Sequence, residues 1–499
     1  MENFLPALAL ILDLGNVVAM FVGTLIGIIV GALPGLGSVV GLTICLPFTF
    51  TMEQMPALSV LLGVYCGSVY GGSISAILIN TPGTPQSAAT CFDGFPMAEQ
   101  GHADKALGWA TVASVIGGLF SCMVLILAAP QLAAIAVKFG PIETFALICL
   151  ALTCIASVSR DGLVKGLLGG IIGLFCATVG SDPVTGDIRF DFGIFALSSG
   201  LDLIAVVVGI FALAEVFARV AERGRKGAPK VHDCGMRLPA WYEWRPRLGV
   251  LVKSCTIGAV VGIMPGTGAA TASFISYAET KRSSPRSAGM GAGEPDGIIA
   301  SEAANNAVTG GALVPTLALG IPGDAITAVM MSTMIIHGIT PGVRLMAENA
   351  VTVYACFIAL VIINFLLLPQ GIAVARLFAR ILKAPEPLLL SMVVVLCLLG
   401  TWGVRGNPFD LLVTLAFGMI GYLMRVFGFP AAPVVIGLVL GPQLEMSLRQ
   451  GLILTDNDFM VFFNYPLAVG LFVVTLVILF LPLFQNLWGR RTPASAPPR

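Results

Sequence analysis

Residues 27–37 read GIIVGALPGLG, and residues 258–268 read GAVVGIMPGTG. The two stretches share Gly, Val, Gly, Pro, Gly and Gly at a constant spacing of 231 residues (27 to 258). In each, an apolar run meets Pro-Gly-x-Gly, where a helix must break because Pro removes an amide donor and Gly admits backbone angles that other residues avoid. Since another apolar run follows at once, the pattern predicts helices broken at corresponding places in two halves of the chain.

The composition places these breaks in a membrane. The chain has 499 residues, of which 57% are hydrophobic and 11% are charged, whereas soluble domains carry about 25% charged residues. A formal net charge of zero argues against a nucleic-acid partner. We therefore predict an all-α polytopic membrane protein, surrounded by a lipid bilayer, with about 11 crossings plus two hairpins.

A second pair of breaks interrupts two further apolar runs. The run 56–79 stops at Asn80-Thr81-Pro82-Gly83-Thr84, and the run 298–337 is broken at Gly320-Ile321-Pro322-Gly323. An interrupted helix exposes partial positive charge at its new N-terminus and partial negative charge at the end before the break. Backbone of this kind is tolerated at membrane depth where protein buries it or it lines a wet cavity. Four matched breaks therefore predict a binding site between two repeats.

Basic residues set the expected topology. Eight Lys and Arg residues lie in 219–247, and three more (Lys281, Arg282, Arg286) follow the second Pro-Gly-x-Gly, which places both ends of that segment in the cytoplasm. The segment is then a re-entrant hairpin. Five crossings separate it from the first hairpin, which predicts two inverted-topology repeats, each with a re-entrant hairpin and a discontinuous helix. The predicted divisions are an N-terminal amphipathic segment 1–14, a first repeat 15–218, a basic cytoplasmic linker 219–247, a second repeat 248–453, and an extra C-terminal helix and tail 454–499.

Polar and flexible residues at the four breaks are the candidate substrate ligands. Gly83 and Gly323 are expected to let the backbone approach a bound anion closely. The full set is Gly35, Leu36, Gly37, Ser38, Pro82, Gly83, Thr84, Gly266, Thr267, Gly268, Pro322, Gly323 and Asp324.

Enzyme functions find little support in the chain. The three histidines are far apart, no metal-ligand spacing is present, and Gly323-Asp324 has no second membrane aspartate with which to share a proton. We predict no cofactor and no catalytic activity.

Three stretches resemble the signature blocks of a known family. They are GALPGLG (31–37), ILINTPGTPQSAATCFDGFPMAEQG (77–101) and GEPDGIIASEAANNAVTGGALVPTLALGIPG (293–323). These are similar to the large membrane subunit of tripartite tricarboxylate transporters, over about residues 15–486. The resemblance implies a multi-pass transporter of the bacterial inner membrane that imports di- or tricarboxylates with Na+. It also implies two partners, a small four-helix membrane subunit and a periplasmic solute-binding protein. Its binding elements map onto Pro34–Gly37, Asn80–Thr84, Pro265–Gly268 and Gly320–Gly323.

Charge balance leads to the same coupling ion. A bound carboxylate brings two or more negative charges to a region without Lys or Arg at membrane depth, and an uncompensated buried charge costs several kcal/mol. The available ligands are hard oxygens, which suit Na+, and the predicted Na+ ligands are Asn80, Thr81, Asn305 and Asn306. A proton relayed by Glu302 or Asp324 could serve instead.

Two classes of transport remain open. One is a symporter in which the paired hairpins and broken helices move their site across the membrane as an elevator does. The other is a passive channel lined by the carbonyls of the breaks. Polarity concentrated at four breaks, rather than along a continuous stripe, favours the symporter.

Overall fold

The computed structural model describes residues 3–34, 36–157, 163–182, 185–222, 235–381 and 386–488. This part of the chain is almost entirely helical, with one antiparallel pair of two-residue strands, β1 (Gly180–Ser181) and β2 (Ile188–Arg189). The helices are α1 Phe4–Ile11, α2 Leu14–Ala32, α3 Gly37–Thr49, α4 Gln54–Ile79, α5 Cys91–Met97, α6 Ala103–Ala136, α7 Pro141–Ser157, α8 Leu163–Ala177, α9 Leu203–Val207, α10 Ala214–Glu222, α11 Trp241–Trp244, α12 Leu248–Ile263, α13 Gly268–Ser283, α14 Pro295–Leu319, α15 Ala325–Ile336, α16 Leu345–Glu348, α17 Ala350–Ile381, α18 Glu386–Arg405, α19 Pro408–Val426, α20 Ala431–Leu454 and α21 Pro466–Trp488. A 3-10 turn, Pro85–Ser87, lies between α4 and α5.

Nine helices among the described residues are long and apolar enough to cross a membrane. Four shorter apolar helices, α3, α7, α8 and α15, and the stretch Pro466–Phe480 of α21 fall below that length, and α14 carries a polar central face. The all-α membrane class is therefore confirmed. Two of the nine, Leu14–Ala32 and Trp241–Ile263, contain first arms of the predicted hairpins, so the count of about 11 crossings plus two hairpins stays a prediction.

The helices gather into two compact units, and each unit draws on both halves of the sequence. The first comprises 1–137 and 201–426, and the second comprises 138–200 and 427–499. Both Pro-Gly-x-Gly turns and both broken helices lie in the first unit. The repeat bounds 15–218 and 248–453 stay predictions, and the basic linker 219–247 is described only up to 222 and from 235 onward.

In the second unit, α20 packs on α7 and α8, and α21 packs on α7. A closed ring of ion pairs attaches the strand pair to α20, because Arg189 and Arg449 each contact both Asp182 and Glu445 at 2.6–3.3 Å. The hydrogen bond with Glu445 raises the pKa of the Arg189 guanidinium above its ordinary value.

Backbone-to-backbone contact between α2 and α4 recurs between α12 and α14. A Cβ atom placed on Gly27 would lie 2.6 Å from the Val64 carbonyl oxygen, and one on Gly258 would lie 2.2 Å from the Ala304 carbonyl oxygen. Only glycine permits such an approach, so the first arm of each Pro-Gly-x-Gly hairpin is held directly against the broken helix of its own half.

We expect Gly27→Ala to destabilise the protein, because an added methyl forces α2 away from α4 at a cost of about 1–3 kcal/mol. Gly170→Ala is the matched control, since no atom lies within 4 Å of a Cβ there. Thermal unfolding of the purified protein measures both. A Gly27→Ala midpoint equal to that of Gly170→Ala would contradict the packing argument.

Candidate functional site

The residues that flank the two Pro-Gly pairs have matching backbone angles. Leu33, which follows α2, has φ −79° and ψ 115°, and Met264, which follows α12, has φ −79° and ψ 114°. The next helices begin at Gly37 and Gly268, whose φ angles of 71° and 67° are left-handed. The predicted breaks at these two places are therefore confirmed.

The first turn is mostly buried where it is described. Gly35 lies outside the described residues, whereas Leu36 and Ser38 are buried. The Ser38 hydroxyl accepts a hydrogen bond of 3.2 Å from the side-chain amide of Gln86, in the 3-10 turn after the first broken helix. The first turn and the first break thus meet through neutral polar groups.

The second turn contacts the second break through its backbone. The Gly266 amide donates to the Gly323 carbonyl oxygen at 2.7 Å. Thr267 closes the turn itself, since its hydroxyl donates to the carbonyl oxygens of Val261 and Met264 at 2.5 and 2.9 Å. The structure therefore brings together two of the predicted substrate segments, Gly266–Gly268 and Pro322–Asp324.

The two broken helices end in the same way. After α4, Asn80 adopts the left-handed conformation at φ 51°, and after α14, Gly320 does so at φ 70°. Asn is among the few residues other than glycine that visit this region readily, so the backbone supplies a reason for Asn80 besides ion binding. Thr81 turns its hydroxyl back to the Ile79 carbonyl oxygen at 3.2 Å.

Gly83 and Gly323 are required by packing. A Cβ on Gly83 would lie 1.9 Å from the Gly31 carbonyl oxygen, and one on Gly323 would lie 2.6 Å from the Ala312 carbonyl oxygen. Close approach to the protein's own backbone therefore gives a structural reason for these glycines, and close approach to an anion stays a prediction. Larger residues at positions 83 and 323 would disturb packing, so a loss of transport in such variants would not by itself report on substrate binding.

A carboxylate already occupies the start of α15. Asp324 caps this helix by accepting from the Thr327 amide at 2.8 Å, and its other oxygen accepts from the Tyr65 hydroxyl at 3.0 Å. Tyr65 belongs to α4 of the other half and is fully buried. A negative group at this position suits a cation better than a second anion, so a substrate role for Pro322, Gly323 and Asp324 stays a prediction.

The corresponding first break has no acidic group at its start. Thr84 and Ser87 form a small capping arrangement, in which the Thr84 amide donates to the Ser87 hydroxyl at 3.4 Å. Both side chains are buried, and Pro82 precedes them in a half-buried position. The two breaks thus share a backbone plan but differ in charge, and the first is the better match for an anion.

Each hairpin packs on a segment of the other half of the sequence. Helix α3 of the first hairpin packs on α15, after the second break, and α13 of the second hairpin packs on the 3-10 turn after the first break. The α13 hydroxyls of Ser273 and Ser276 are buried and lack a hydrogen-bond partner among the described residues. Polar groups free to bind a ligand therefore lie on α13.

Glu302 is buried in the middle of α14. One carboxylate oxygen accepts from the Thr90 hydroxyl at 2.5 Å, and the other accepts from the Ser114 hydroxyl at 3.0 Å. Thr90 also contacts the Ser301 hydroxyl at 2.9 Å. All four side chains are fully buried, so a carboxylate from one half lies within a shell of hydroxyls from both halves.

The predicted Na+ ligands fall into two places. Asn305 and Asn306 are buried on α14, where the Asn306 amide nitrogen donates to the Glu302 carbonyl oxygen at 3.0 Å. Asn80 is exposed and Thr81 is half-buried at the end of α4. Within the described residues, no hydrogen bond joins Asn80 or Thr81 to Asn305 or Asn306, and a shared role of the four in binding Na+ stays a prediction.

Asp93, which sequence analysis did not single out, joins the halves at another point. One oxygen accepts from the amides of Gly291, Gly293 and Glu294 at 2.7–3.0 Å, and the other accepts from the Tyr277 hydroxyl at 2.8 Å. Asp93 is fully buried. It lies inside the signature block 77–101, where an acidic residue between aromatics was the one signal available.

Comparison with known proteins identifies the family of this chain. The model of the tripartite tricarboxylate transporter TctA family matches residues 17–436. The chain belongs to this family. It is 35% identical over 478 residues, covering 95% of both chains, to an uncharacterized 52.8 kDa protein in the TAR-I ttuC' 3'region of Agrobacterium vitis. It is also 32% identical over 234 residues to an uncharacterized protein in the TAR-II ttuC' 3'region of the same organism, covering 47% of this chain and 97% of the relative. No solved structure matches.

TctA membership confirms the resemblance of the three signature blocks. The protein is a multi-pass membrane subunit of a tripartite transporter, and it therefore works with partner subunits. All three blocks lie in the first compact unit. They supply the first turn, the first break with Asp93, and the whole of α14 with the second break, so the family signature coincides with the segments that meet at the candidate site.

We expect Asp93→Ala to destabilise this TctA protein, because it leaves three part-buried amides and a tyrosine hydroxyl without their acceptor, at roughly 1 kcal/mol each. Asp93→Asn keeps one acceptor oxygen and should lose less. The exposed Glu99 provides a control as Glu99→Ala. Thermal unfolding of purified protein measures the order, and equal midpoints for Asp93→Ala and Glu99→Ala would contradict it.

Proposed function

We propose that this chain is the subunit through which a small di- or tricarboxylate crosses the bacterial inner membrane, driven by Na+. A periplasmic solute-binding protein delivers the substrate, and a small four-helix membrane subunit accompanies the chain. The substrate lies between the two hairpin turns and the two helix breaks, against Leu36, Ser38, Thr84 and Thr267.

One observation carries this proposal: each hairpin packs on the segment that follows the other half's break. Four interruptions that are far apart in sequence are thereby gathered in one compact unit. Buried interruptions are compatible with a membrane where protein satisfies the freed backbone groups, and transporters place their sites at such points. The amide of Gly266 satisfying the carbonyl of Gly323 is one instance.

We further propose that the two halves are inverted repeats with re-entrant hairpins. Helices α12 and α13 have 16 residues each, and Lys253 near the start of the pair contacts Glu279 near its end at 3.5 Å. An antiparallel pair of this length has both ends on one side. Five helical segments, α4, α6, α7, α8 and the run Leu203–Ala221, separate the hairpins, and an odd number of crossings reverses the orientation of the second.

Na+ would supply the positive charge that a bound carboxylate requires. The oxygens available to hold it are those of Asn80, Thr81, Asn305 and Asn306, together with carbonyls at the breaks. Asp324, beside the second break, adds negative charge that favours a cation. Movement of the hairpins and broken helices as one body, in the manner of an elevator, fits the glycine contacts that hold α2 to α4 and α12 to α14.

Cysteine labelling tests the topology. We expect Arg245→Cys and Ala288→Cys, two exposed positions before and after the second hairpin, to react from the cytoplasmic side because a re-entrant hairpin returns to the side it left. Met460→Cys, also exposed, should react from the opposite side. The measurement is labelling by an impermeant maleimide in oriented vesicles with the native cysteines blocked. Labelling of residues 245 and 288 from opposite sides would turn the hairpin into a crossing.

Uptake measurements test the transport. Sealed vesicles containing all three subunits, supplied with a labelled tricarboxylate at fixed pH, should accumulate it with a Na+ gradient and lose accumulation when choline replaces Na+, because the cation balances the substrate charge. Accumulation that is unchanged in choline but is abolished by collapsing the proton gradient would replace Na+ with a proton. Equilibration without accumulation under any gradient would identify a passive channel.

A further inference from the structure

Glu302 has an environment that needs explanation. Its side chain is fully buried, and no Lys, Arg or His among the described residues forms an ion pair or a hydrogen bond with it. A buried ionised carboxylate is costly unless a positive charge or several hydrogen bonds compensate it. Two neutral hydroxyls, of Thr90 and Ser114, donate to it at 2.5 and 3.0 Å, and the neutral side-chain amide of Asn305 adds a hydrogen bond. These donors carry no charge and offset only part of that cost.

Both oxygens of the Glu302 carboxyl group contact hydroxyls, those of Thr90 and Ser114. A hydroxyl that donates its hydrogen keeps the lone pairs of its oxygen. The Ser301 hydroxyl donates to the carbonyl oxygens of Gly297 and Ile298 at 3.0 and 3.1 Å. The oxygen lone pairs of the surrounding hydroxyls therefore remain available to a cation.

A second observation points to a ligand at the same place. The side-chain oxygen of Asn306 is buried and has no hydrogen-bond partner among the described residues. Asn306 lies one helical turn after Glu302, on the same face of α14, and its amide nitrogen donates to the Glu302 carbonyl. An unsatisfied buried acceptor beside an unpaired buried carboxylate is the arrangement that a cation would complete.

We propose that Glu302 is the carboxylate ligand of a Na+ site, completed by the side-chain oxygens of Thr90, Ser114 and Asn306. The site rests on the proposed Na+ coupling but differs from the predicted ligand set, because it omits Asn80 and Thr81. Its ligands are all oxygens, as a hard cation requires. They come from the end of the first break segment, from α6 and from α14, so a bound ion would hold segments of both halves together.

The test uses the purified full-length protein with its partner membrane subunit, and the ion itself as the probe. Thermal unfolding is followed while NaCl replaces choline chloride at constant ionic strength and pH. The wild-type midpoint should rise with Na+ concentration, since a ligand of the folded state stabilises it. Glu302→Gln, which keeps the shape but removes the charge, should show no rise. Glu99→Gln, the same change at an exposed position, should respond as the wild type does.

A second variant covers the case in which Glu302→Gln does not fold. Ser114→Ala removes one ligand and should raise the half-saturating Na+ concentration by roughly tenfold. An unchanged half-saturating concentration would overturn the proposal. It would equally be overturned if the wild type showed no response to Na+, if Glu302→Gln kept the full response, or if Asn80→Ala abolished the response while Glu302→Gln did not.

Tricarboxylate uptake by the same complex separates the two proposals. Uptake without a Na+ response of the midpoint would retain carboxylate transport and overturn the ion site. A Na+ response that Glu302→Gln abolishes, in a complex that accumulates no carboxylate, would retain the ion site and overturn the proposed function.

Discussion

Each interrupted helix frees backbone amides and carbonyls that lipid cannot satisfy, and the first compact unit is organised around their satisfaction. The Gly83 amide donates back to the Gly72 carbonyl at 3.4 Å, and the Gly323 amide donates to the Thr316 hydroxyl at 3.2 Å. Such bonds hold the broken chain directly on its own helix. Glycine at 323 then avoids the Ala312 carbonyl of that helix, and glycine at 83 avoids the Gly31 carbonyl of α2. Helices α2 and α12, the first arms of the hairpins, need glycine as well, because they pack closely on the broken helices α4 and α14.

The features that sequence could predict are those that one segment determines by itself. Pro-Gly-x-Gly stops a helix wherever it occurs, and the left-handed residue after α4 or α14 follows from Asn80 or Gly320 alone. Membership in the TctA family was also available from the quoted blocks. The packing role of Gly83 and Gly323 could not be predicted from the sequence, because it depends on a neighbouring carbonyl oxygen that only the fold brings near.

Contacts between segments that are distant in sequence could not be predicted either. The sequence around Asp93 does not predict that Gly291 is its hydrogen-bond partner, and the sequence around Tyr65 does not predict its contact with Asp324. The compact units likewise differ from the sequence repeats, since α20 packs with α7 and α8 while α18 and α19 pack with the run that contains α9 and α10. In physical terms, periodicity records which face of a helix is apolar, but it does not record which other helix covers that face.

The Asp93 contact also has a consequence for synthesis of the chain. Its three amide partners lie 198–201 residues further along, and a ribosome adding roughly 5–20 residues per second needs about 10–40 s to reach them. Throughout that interval the Asp93 carboxylate on α5 lacks the three amides that donate to it in the folded protein. The segment 91–97 can therefore complete its burial only after the loop before α14 has emerged, so the first half reaches its final form only once the beginning of the second half exists.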